Sequence, residues 1–576
     1  MQLARGLRFP AIFCALAVFL CELISRPYAN MGIADDGPDI IMAHTLATVG
    51  HIVYTGWAAP MLICQLYLAA AFVKLFGFSF TAVRFSTLLV AMLLAFMLQR
   101  TLVLAGITER NATIGTLAFV LSPLYLMLSV TYMTDIFGLF AIVVCLYGCL
   151  RALHASTPRG AILWICFAVI TNAFFGTSRQ ISWLGILVMV PSTLWLLRAR
   201  RNILIAGTAA VLTGALFVFA CLQWLARQPY TVPEHLLIRP FSVALLSAQS
   251  IDAVLDLPFL LLPLVVVFLP ELRKIRPFFL AVFSTVLFGY LFLALYPSHL
   301  RGSFILVPGA GMVGEWVNSL ATFDFPMLHG SPPIWVPPLV QAFFTALTMA
   351  SVLGLIVSVF RSRRPLLPAS GSSAISWLQL GTLLGPFFVA YVLLLIPRGA
   401  AIGLHDRYFL ALLLVALIFL IRYFQDRVYA QLPLISVLLI GVMTIYGVTA
   451  THDMFSFYRA RVALADELRA NGVPPTSVDN GWEYNFNVQI LGSGHINNPA
   501  IIVPAHLYAP RAPLGPGSCS SDNLDYTPLV RPIYGVSFNP NACYGPAPFA
   551  PVHYSRWPYR TPGTLYVVHY LPPATP

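Results

Sequence analysis

Long apolar segments separated by short polar ones repeat along most of the chain. Each holds roughly twenty largely apolar residues, the length that a helix needs to cross the hydrocarbon core of a bilayer. The pattern therefore predicts an all-α polytopic membrane protein with about thirteen transmembrane helices. The predicted spans are residues 9–25, 85–105, 113–131, 136–153, 161–178, 181–197, 203–223, 253–270, 277–296, 338–360, 376–396, 409–423 and 432–450.

The composition supports a membrane protein. Of the 576 residues, 59% are hydrophobic and only 9% are charged, whereas a soluble globular chain is about a quarter charged. This excludes a soluble globular fold, a disordered chain and a coiled coil. The net charge of +12 would indicate nucleic-acid binding only if the basic residues formed one clustered face.

The basic residues instead follow alternate loops. Of the 33 lysines and arginines, 17 fall in the N-terminal segment and in every second short loop between the predicted spans. Short cytoplasmic loops carry such an excess. The N-terminus is therefore predicted to be cytoplasmic and the C-terminus extracytoplasmic.

Residues 57–77 are apolar enough to form a further span, but counting them would place the arginine-rich loops outside. We therefore expect a helix on the outer membrane surface, with Trp57 and Tyr67 near the interface. The first outer loop then runs from residue 26 to residue 84.

No Asp, Glu, Lys, Arg or His lies near the middle of any predicted span. Ion-coupled transporters and proton pumps usually need such residues along their pathways. Their absence from the predicted spans weighs against transport.

Acidic residues gather instead at outer span ends. Asp35, Asp36 and Asp39 follow the first span, and Asp135 precedes the fourth, on the same side. Carboxylates meeting at such a cleft suit acid–base catalysis or binding of a divalent cation. Asp39 is interpreted as a solvated loop carboxylate.

Arginines lie at matching depth on this side, at Arg84, Arg179, Arg239, Arg301, Arg398 and Arg407. Guanidinium groups bind phosphate in a bidentate manner, so these residues are candidates for holding a lipid-linked phosphate. Contact with ordinary anionic headgroups accounts equally well for Arg301 and Arg398.

Short motifs around these residues recur in a fixed order on the predicted outer side. They resemble elements of the GT-C superfamily of polyprenyl-phosphate-sugar-dependent glycosyltransferases, especially bacterial relatives of protein O-mannosyltransferases and lipid A aminoarabinose transferases. The resemblance covers most of residues 1–450. The motifs are Asp35-Asp36-Gly37 followed by Ala43, Gly50, Trp57 and Pro60-Met61-Leu62; Lys74-Leu75-Phe76-Gly77 followed by Arg84; Thr134-Asp135; Thr177-Ser178-Arg179; and His405-Asp406-Arg407-Tyr408.

The resemblance implies a GT-C-like fold in the membrane module, residues 1–450. It implies transfer of a sugar from a polyprenyl-phosphate donor to a hydroxyl of a lipid, glycan or protein on the extracytoplasmic face of a bacterial inner membrane, with inversion. The implied reaction needs either no cofactor or a divalent cation.

The implied catalytic residues are Asp35 as general base, Asp36 as second choice for the base and Asp135 as orienting group. The implied phosphate ligands are Arg84, Arg179, Arg407 and Tyr408. Further implied substrate contacts are His405, Trp57 and Arg301.

Two departures limit the resemblance. Asp36 stands where the family has Glu, and the Glu-Lys-Pro-Pro of aminoarabinose transferases is absent, with Ala58-Ala59-Pro60 nearby. Arginines would have to replace that lysine at the donor phosphate, so aminoarabinose specificity does not follow.

Two other functions fit parts of the pattern. One is a transporter or flippase of lipid-linked sugars. The other is a polysaccharide polymerase or ligase, which the outer loop 297–337 with His299, Arg301 and His329 would suit.

The composition changes at residue 451. The tail, residues 451–576, contains 18 of the 44 prolines and no segment long enough to span a membrane. It is predicted to be a small extracytoplasmic α+β domain with a helix at 455–470 and strands at 500–503 and 564–568. Cys519 and Cys543 are its only cysteines, and in an oxidising compartment they are a disulfide candidate.

Overall fold

The computed structural model describes residues 9–233, 241–296, 306–309, 315–320, 328–361, 375–512, 519 and 524–572. Ten helices in these ranges are long and apolar enough to cross a membrane, so the chain is a multi-pass membrane protein. The helices are α1 (Phe9–Ser25), α2 (Asp36–Val49), α3 (Ile63–Phe76), α4 (Phe80–Leu104), α5 (Glu109–Val120), α6 (Pro123–Ser129), α7 (Asp135–Leu153), α8 (Pro158–Gly176), α9 (Gln180–Leu196), α10 (Arg201–Leu225), α11 (Val243–Leu260), α12 (Pro277–Leu295), α13 (Pro338–Arg361), α14 (Trp377–Ala401), α15 (Asp406–Val428), α16 (Leu434–Ala470) and α17 (Gly481–Ser493).

The predicted span 113–131 is broken in the middle. Helices α5 and α6 meet at an angle of 67°. The Ser122 hydroxyl accepts a hydrogen bond from the Tyr125 backbone N–H and Pro123 opens the second helix. A serine cap followed by proline starts a new helix instead of continuing the old one, so hydropathy alone missed the bend.

The predicted span 253–270 is wrong in its boundaries. Helix α11 begins ten residues earlier, at Val243, and ends at Leu260. Its first half includes polar residues that lower the hydropathy, among them Gln249. That side chain is buried and accepts a hydrogen bond of 2.7 Å from the backbone N–H of Leu404, which explains how a polar residue is accommodated in a packed helix.

This shift places two acidic residues within a span. Asp252 lies at the middle of α11 and Asp256 is buried one turn later. The expectation that no acidic residue lies near the middle of a span is therefore wrong for α11. One argument against transport is lost with it.

The segment predicted as a surface helix at 57–77 is helical only in α3. Fourteen residues extend about 21 Å, less than the roughly 30 Å of a bilayer core. Trp57 precedes the helix and packs against Phe486 and Trp482 of the tail, with ring centroids 4.7 and 5.4 Å away. Trp57 is thus a contact with the tail.

The tail begins inside a helix. The predicted span 432–450 and the predicted helix 455–470 are one continuous helix, α16, of 37 residues, about 55 Å long. Neither Gly nor Pro occurs between residues 448 and 470, and the helix ends just before Gly472, which has φ +80°. The boundary expected at residues 450/451 therefore falls in mid-helix.

The tail contains the strands β1 (Val478–Asp479), β2 (Tyr534–Ser537), β3 (Val552–Tyr554) and β4 (Gly563–His569). They form a four-stranded sheet in the order β1-β2-β4-β3. Strands β1 and β2 are parallel, and the other pairs are antiparallel. Residues 564–568 belong to β4 as predicted, whereas 500–503 form no strand. Cys519 and Cys543 form a disulfide with Cα atoms 5.7 Å apart.

Candidate active site

A cavity of about 850 Å³ lies where the first long loop, four helices and the tail meet. Both charged and aliphatic side chains line it. The charged residues are Asp35, Asp39, Arg179, Arg398 and Arg407; the aliphatic ones include Leu184, Leu187, Val218, Leu222, Leu225, Leu394 and Leu395.

Asp35 stands at the entrance to α2 and lines the cavity. Although it occupies the N-cap position, its side chain makes no capping hydrogen bond. Its Oδ2 accepts a bond of 3.1 Å from Nη2 of Arg407, while its buried Oδ1 has no hydrogen-bond partner among the described atoms. The side chain is 25% exposed. The carboxylate group as a whole therefore borders the cavity, although its Oδ1 is buried.

Arg407 connects three acidic residues. Its Nη2 contacts Asp35, its Nε lies 3.2 Å from Oε2 of Glu315, and its Nη1 lies 4.0 Å from Oδ2 of Asp135. The same Glu315 oxygen is 3.3 Å from Nδ1 of His405. Residues separated by hundreds of positions in sequence thus meet around one guanidinium group.

Glu315 is a member of this cluster that sequence reasoning missed. Asp406 accepts hydrogen bonds of 2.9 Å from the backbone N–H groups of Trp316 and Val317, which holds the segment in place. Burial raises the pKa of Glu315 to about 8, against the opposing effect of the Arg407 guanidinium. The one signal in the sequence was that Glu315 and Asp324 are the only acidic residues in the loop 297–337.

The pKa of Glu315 predicts a pH dependence of stability. The folded protein retains this proton up to about pH 8, whereas the ordinary value is 4.5. The free energy of unfolding contributed by Glu315 therefore falls as the pH rises from about 5 to 8. Replacement of Glu315 by Gln, which has no proton to lose, should flatten this slope in thermal unfolding measured across that range. Glu467→Gln, a partly exposed control, should leave the slope unchanged, and parallel slopes for Glu315→Gln and wild type would refute the assignment.

Asp135 opens α7 and is almost fully buried. It forms an ion pair with Nη1 of Arg179, which also bonds to the Thr134 hydroxyl at 3.3 Å. Because its carboxylate faces the arginines and does not line the cavity, its position suits orienting Arg179 and Arg407.

Three guanidinium groups lie around the ring of Tyr408. Its hydroxyl accepts a hydrogen bond of 2.7 Å from Nη2 of Arg398. The Cζ atoms of Arg398, Arg179 and Arg407 lie 4.7, 5.3 and 5.3 Å from its ring centroid. Cations at this range are attracted by the ring quadrupole, so Tyr408 helps three arginines to share one end of the cavity.

Arg84 and Asp36 lie outside the cavity. Both side chains are 0% exposed and form a bidentate pair of 2.8 and 3.0 Å. Arg84 also donates to the carbonyls of Ala29 and Met31, and Asp36 accepts from the backbone N–H of Tyr132. Neither residue lines the cavity, so we assign the pair a structural role in place of the phosphate-binding and alternative-base roles expected of them.

Asp39 was interpreted as a solvated carboxylate, and this is wrong. Its residue is 7% exposed and it lines the cavity one helical turn beyond Asp35. Burial, together with the negative charges of Asp35 and Asp36, raises its pKa well above the ordinary value.

The tail supplies part of the cavity wall through Ile502 and Val503. The Val503 carbonyl accepts a hydrogen bond of 2.7 Å from the backbone N–H of Tyr230. Ile496 donates a bond of 2.8 Å to the carbonyl of Thr55 in the first long loop. The tail is therefore fixed to the loop that presents Asp35.

Other predicted site residues have mixed outcomes. Trp57 lines the cavity, while His405 contacts Glu315 and stacks edge-on against Tyr408. Arg239 and Arg301 lie outside the described residues. Arg398, equally consistent with a headgroup contact in the sequence, belongs to the arginine group around Tyr408.

A divalent cation shared by Asp35 and Asp135 does not fit this arrangement. Arg407 contacts both carboxylates from between them, and its guanidinium already provides the positive charge there. Within the described ranges, the one group of three potential ligands outside the cavity is His329, Cys519 and Cys543, whose two sulfurs form the disulfide.

No protein-family model and no curated protein matches the sequence. Distant similarity to solved structures was found. ArnT from Cupriavidus metallidurans in the apo state has 13% identity over 82% of each chain, with a TM-score of 0.38. Archaeal oligosaccharyltransferase AglB from Archaeoglobus fulgidus, in complex with an inhibitory peptide and a dolichol-phosphate, has 15% identity over 79% of this chain and 58% of that one, with a TM-score of 0.36. These similarities are too distant to carry the functional proposal, which rests on the cavity residues.

Proposed function

We propose that this protein is a membrane glycosyltransferase that transfers a sugar from a polyprenyl-phosphate donor to an acceptor hydroxyl. The observation that carries the proposal is that one cavity is lined by the carboxylate of Asp35, three guanidinium groups and a set of leucine and valine side chains. These three features match the three parts of such a reaction: a hydroxyl to be deprotonated, a phosphate to be released and a lipid chain to be held.

The charge of the cavity favours a bound phosphate. Arg179, Arg398 and Arg407 converge on Tyr408, and the carboxylates in contact with them are Asp135, Asp35 and the strongly buried Glu315. Burial favours the neutral form of Glu315, which reduces the negative charge that would compete with a phosphate for Arg407. A phosphate group would bind these arginines through charge-assisted hydrogen bonds.

The aliphatic wall favours a lipid-linked donor. Leu222 and Leu225 of α10, Leu184 and Leu187 of α9 and Leu395 of α14 line the same cavity as the arginines. A polyprenyl chain would lie against these side chains with its phosphate at the arginines, because burying its apolar surface is favourable.

The chemistry follows from these positions. The carboxylate of Asp35 takes the proton of the acceptor hydroxyl, whose oxygen attacks the anomeric carbon. The bond from that carbon to the phosphate oxygen breaks, and the arginines stabilise the charge that develops on the leaving phosphate. Attack opposite to the leaving group inverts the anomeric centre, and the proton on Asp35 returns to solvent.

We further propose that the cavity faces the extracytoplasmic side of a bacterial inner membrane. Arg179 and Arg407 flank spans at the ends opposite the arginine-rich short loops, as does Asp135. The positive-inside rule supports this orientation, with the N-terminus cytoplasmic and the tail outside.

The test is a transfer assay with the full chain in proteoliposomes. Radiolabelled sugars on undecaprenyl monophosphate and on undecaprenyl diphosphate should be offered with a panel of glycan, lipid and peptide acceptors. We expect labelled product from the monophosphate donor. Product from the diphosphate donor alone would support a polymerase or ligase. Movement of label across the bilayer without product would support a flippase and overturn the proposal.

A further inference from the structure

Asp39 is a buried polar group that the proposed reaction leaves unused. Its residue is 7% exposed, and its Oδ1 is buried without a hydrogen-bond partner among the described atoms. A buried polar atom without a partner costs free energy, so native proteins contain few of them. Such an atom beside a substrate cavity calls for an explanation.

The position of Asp39 relates it to the proposed base. Asp39 lies four residues after Asp35, in the first turn of α2, and residues four apart lie on one face of a helix. Both side chains line the same cavity. A substrate whose hydroxyl reaches Asp35 therefore passes beside Asp39.

The surroundings of Asp39 favour its neutral form. Burial is the main cause that raises the Asp39 pKa well above its ordinary value, and the negative charges of Asp35 and Asp36 add to it. Tyr54 of the following loop and Tyr132 of the segment before α7 also lie near Asp39 and bring no positive charge. A neutral carboxylic acid carries an O–H donor as well as an acceptor oxygen.

We propose that Asp39 is a substrate-binding residue whose neutral carboxyl group hydrogen-bonds to a sugar hydroxyl in the cavity. This rests on the proposed glycosyltransferase function and adds a specificity contact to it. The hydroxyl belongs to the donor sugar or to a sugar acceptor.

Two substitutions test the proposal. Asp39→Asn retains a donor and an acceptor in nearly the same shape, whereas Asp39→Leu removes both and leaves an apolar side chain. We expect Asp39→Leu to raise KM about tenfold, the value of a lost hydrogen bond, with a smaller change in kcat, and Asp39→Asn to stay near wild type. A higher KM for the donor would place the hydroxyl on the donor sugar, and a higher KM for the acceptor would place it on the acceptor.

Unfolding separates binding from structure without any turnover. Because Asp39→Leu removes an unpaired buried polar atom, its melting temperature should rise by about 2–4 °C. A structural residue would behave in the opposite way, with a lower melting temperature and parallel loss of activity. A lower melting temperature for Asp39→Leu would therefore overturn the proposal.

The pH dependence of the transfer rate is a further test of the Asp39 proposal. Wild-type transfer should decline as rising pH removes the Asp39 proton, because an anion at this position loses the donor and repels the donor phosphate. Asp39→Asn should not show that part of the decline. If the wild type transfers sugar and Asp39→Leu matches it in KM, the Asp39 proposal fails alone. If the wild type transfers none, the proposed function fails, and the melting temperatures still decide whether Asp39 is retained for structure.

Discussion

Replacement of Asp35 by Asn should reduce sugar transfer by about 10²–10⁴-fold, the contribution expected of a positioned general base. The side chain keeps its size, and its amide cannot accept the proton of the acceptor hydroxyl. The fall should appear in kcat, because the arginines that hold the donor phosphate remain in place. Initial rates with saturating lipid-linked donor measure this effect.

The matched control is Asp466→Asn, the same substitution at a side chain that is 63% exposed on α16. It should leave transfer unchanged. Full activity in Asp35→Asn, with the control also active, would remove Asp35 as the base. Unchanged binding of undecaprenyl phosphate to Asp35→Asn would show that the loss concerns chemistry and leaves the lipid site intact.

Breaking the Arg84–Asp36 pair should destabilise the protein by about 3–5 kcal/mol, because removing one partner leaves an uncompensated buried charge. Arg84→Gln removes the guanidinium that bonds both Asp36 oxygens and the carbonyls of Ala29 and Met31. The bonded carbonyls belong to the segment that leads into Asp35, so α2 would lose its anchor to α4. We expect poor yield and a marked fall in melting temperature.

Arg469→Gln is the control for this experiment. Arg469 pairs with Asp466 at 3.8 Å, and both side chains are 63% exposed. An exposed pair contributes about 0–1 kcal/mol, so the melting temperature should scarcely change. A similarly small effect for Arg84→Gln would show that the buried pair is not essential. Loss of transfer with unchanged stability would instead return Arg84 to the substrate site.

The two acidic neighbours Asp35 and Asp36 show how far sequence reasoning reaches. Their position after the first span indicated a functional carboxylate, and the family resemblance ranked Asp35 first as the base and Asp36 second. Position alone does not distinguish the two. In the structure Asp36 turns inward to Arg84, 48 positions away, while Asp35 turns to Arg407, 372 positions away. Adjacent side chains on a helix point in different directions, so only the packing of other helices determines which one faces the cavity.

Glu315 and Asp39 are residues beside the cavity that sequence reasoning did not assign to the site. Nothing local distinguishes them from solvated loop carboxylates, and both are buried beside the site because distant segments fold over them. Helix α11 shows why a span can be misplaced: hydropathy counts Gln249 as polar, whereas its partner at Leu404 makes it compatible with a packed interior.

The residue pattern alone determines that the chain spans a membrane many times and that acids and arginines accumulate at one set of span ends, and it predicts which side the basic loops favour. These properties depend on local composition, because insertion responds to each segment separately. The tertiary structure decides which arginine meets which carboxylate, which carboxylate remains open to a cavity, and that the tail forms one of its walls. Those outcomes depend on contacts between residues far apart in sequence, and pairing across such distances follows from helix packing, which local hydropathy does not encode.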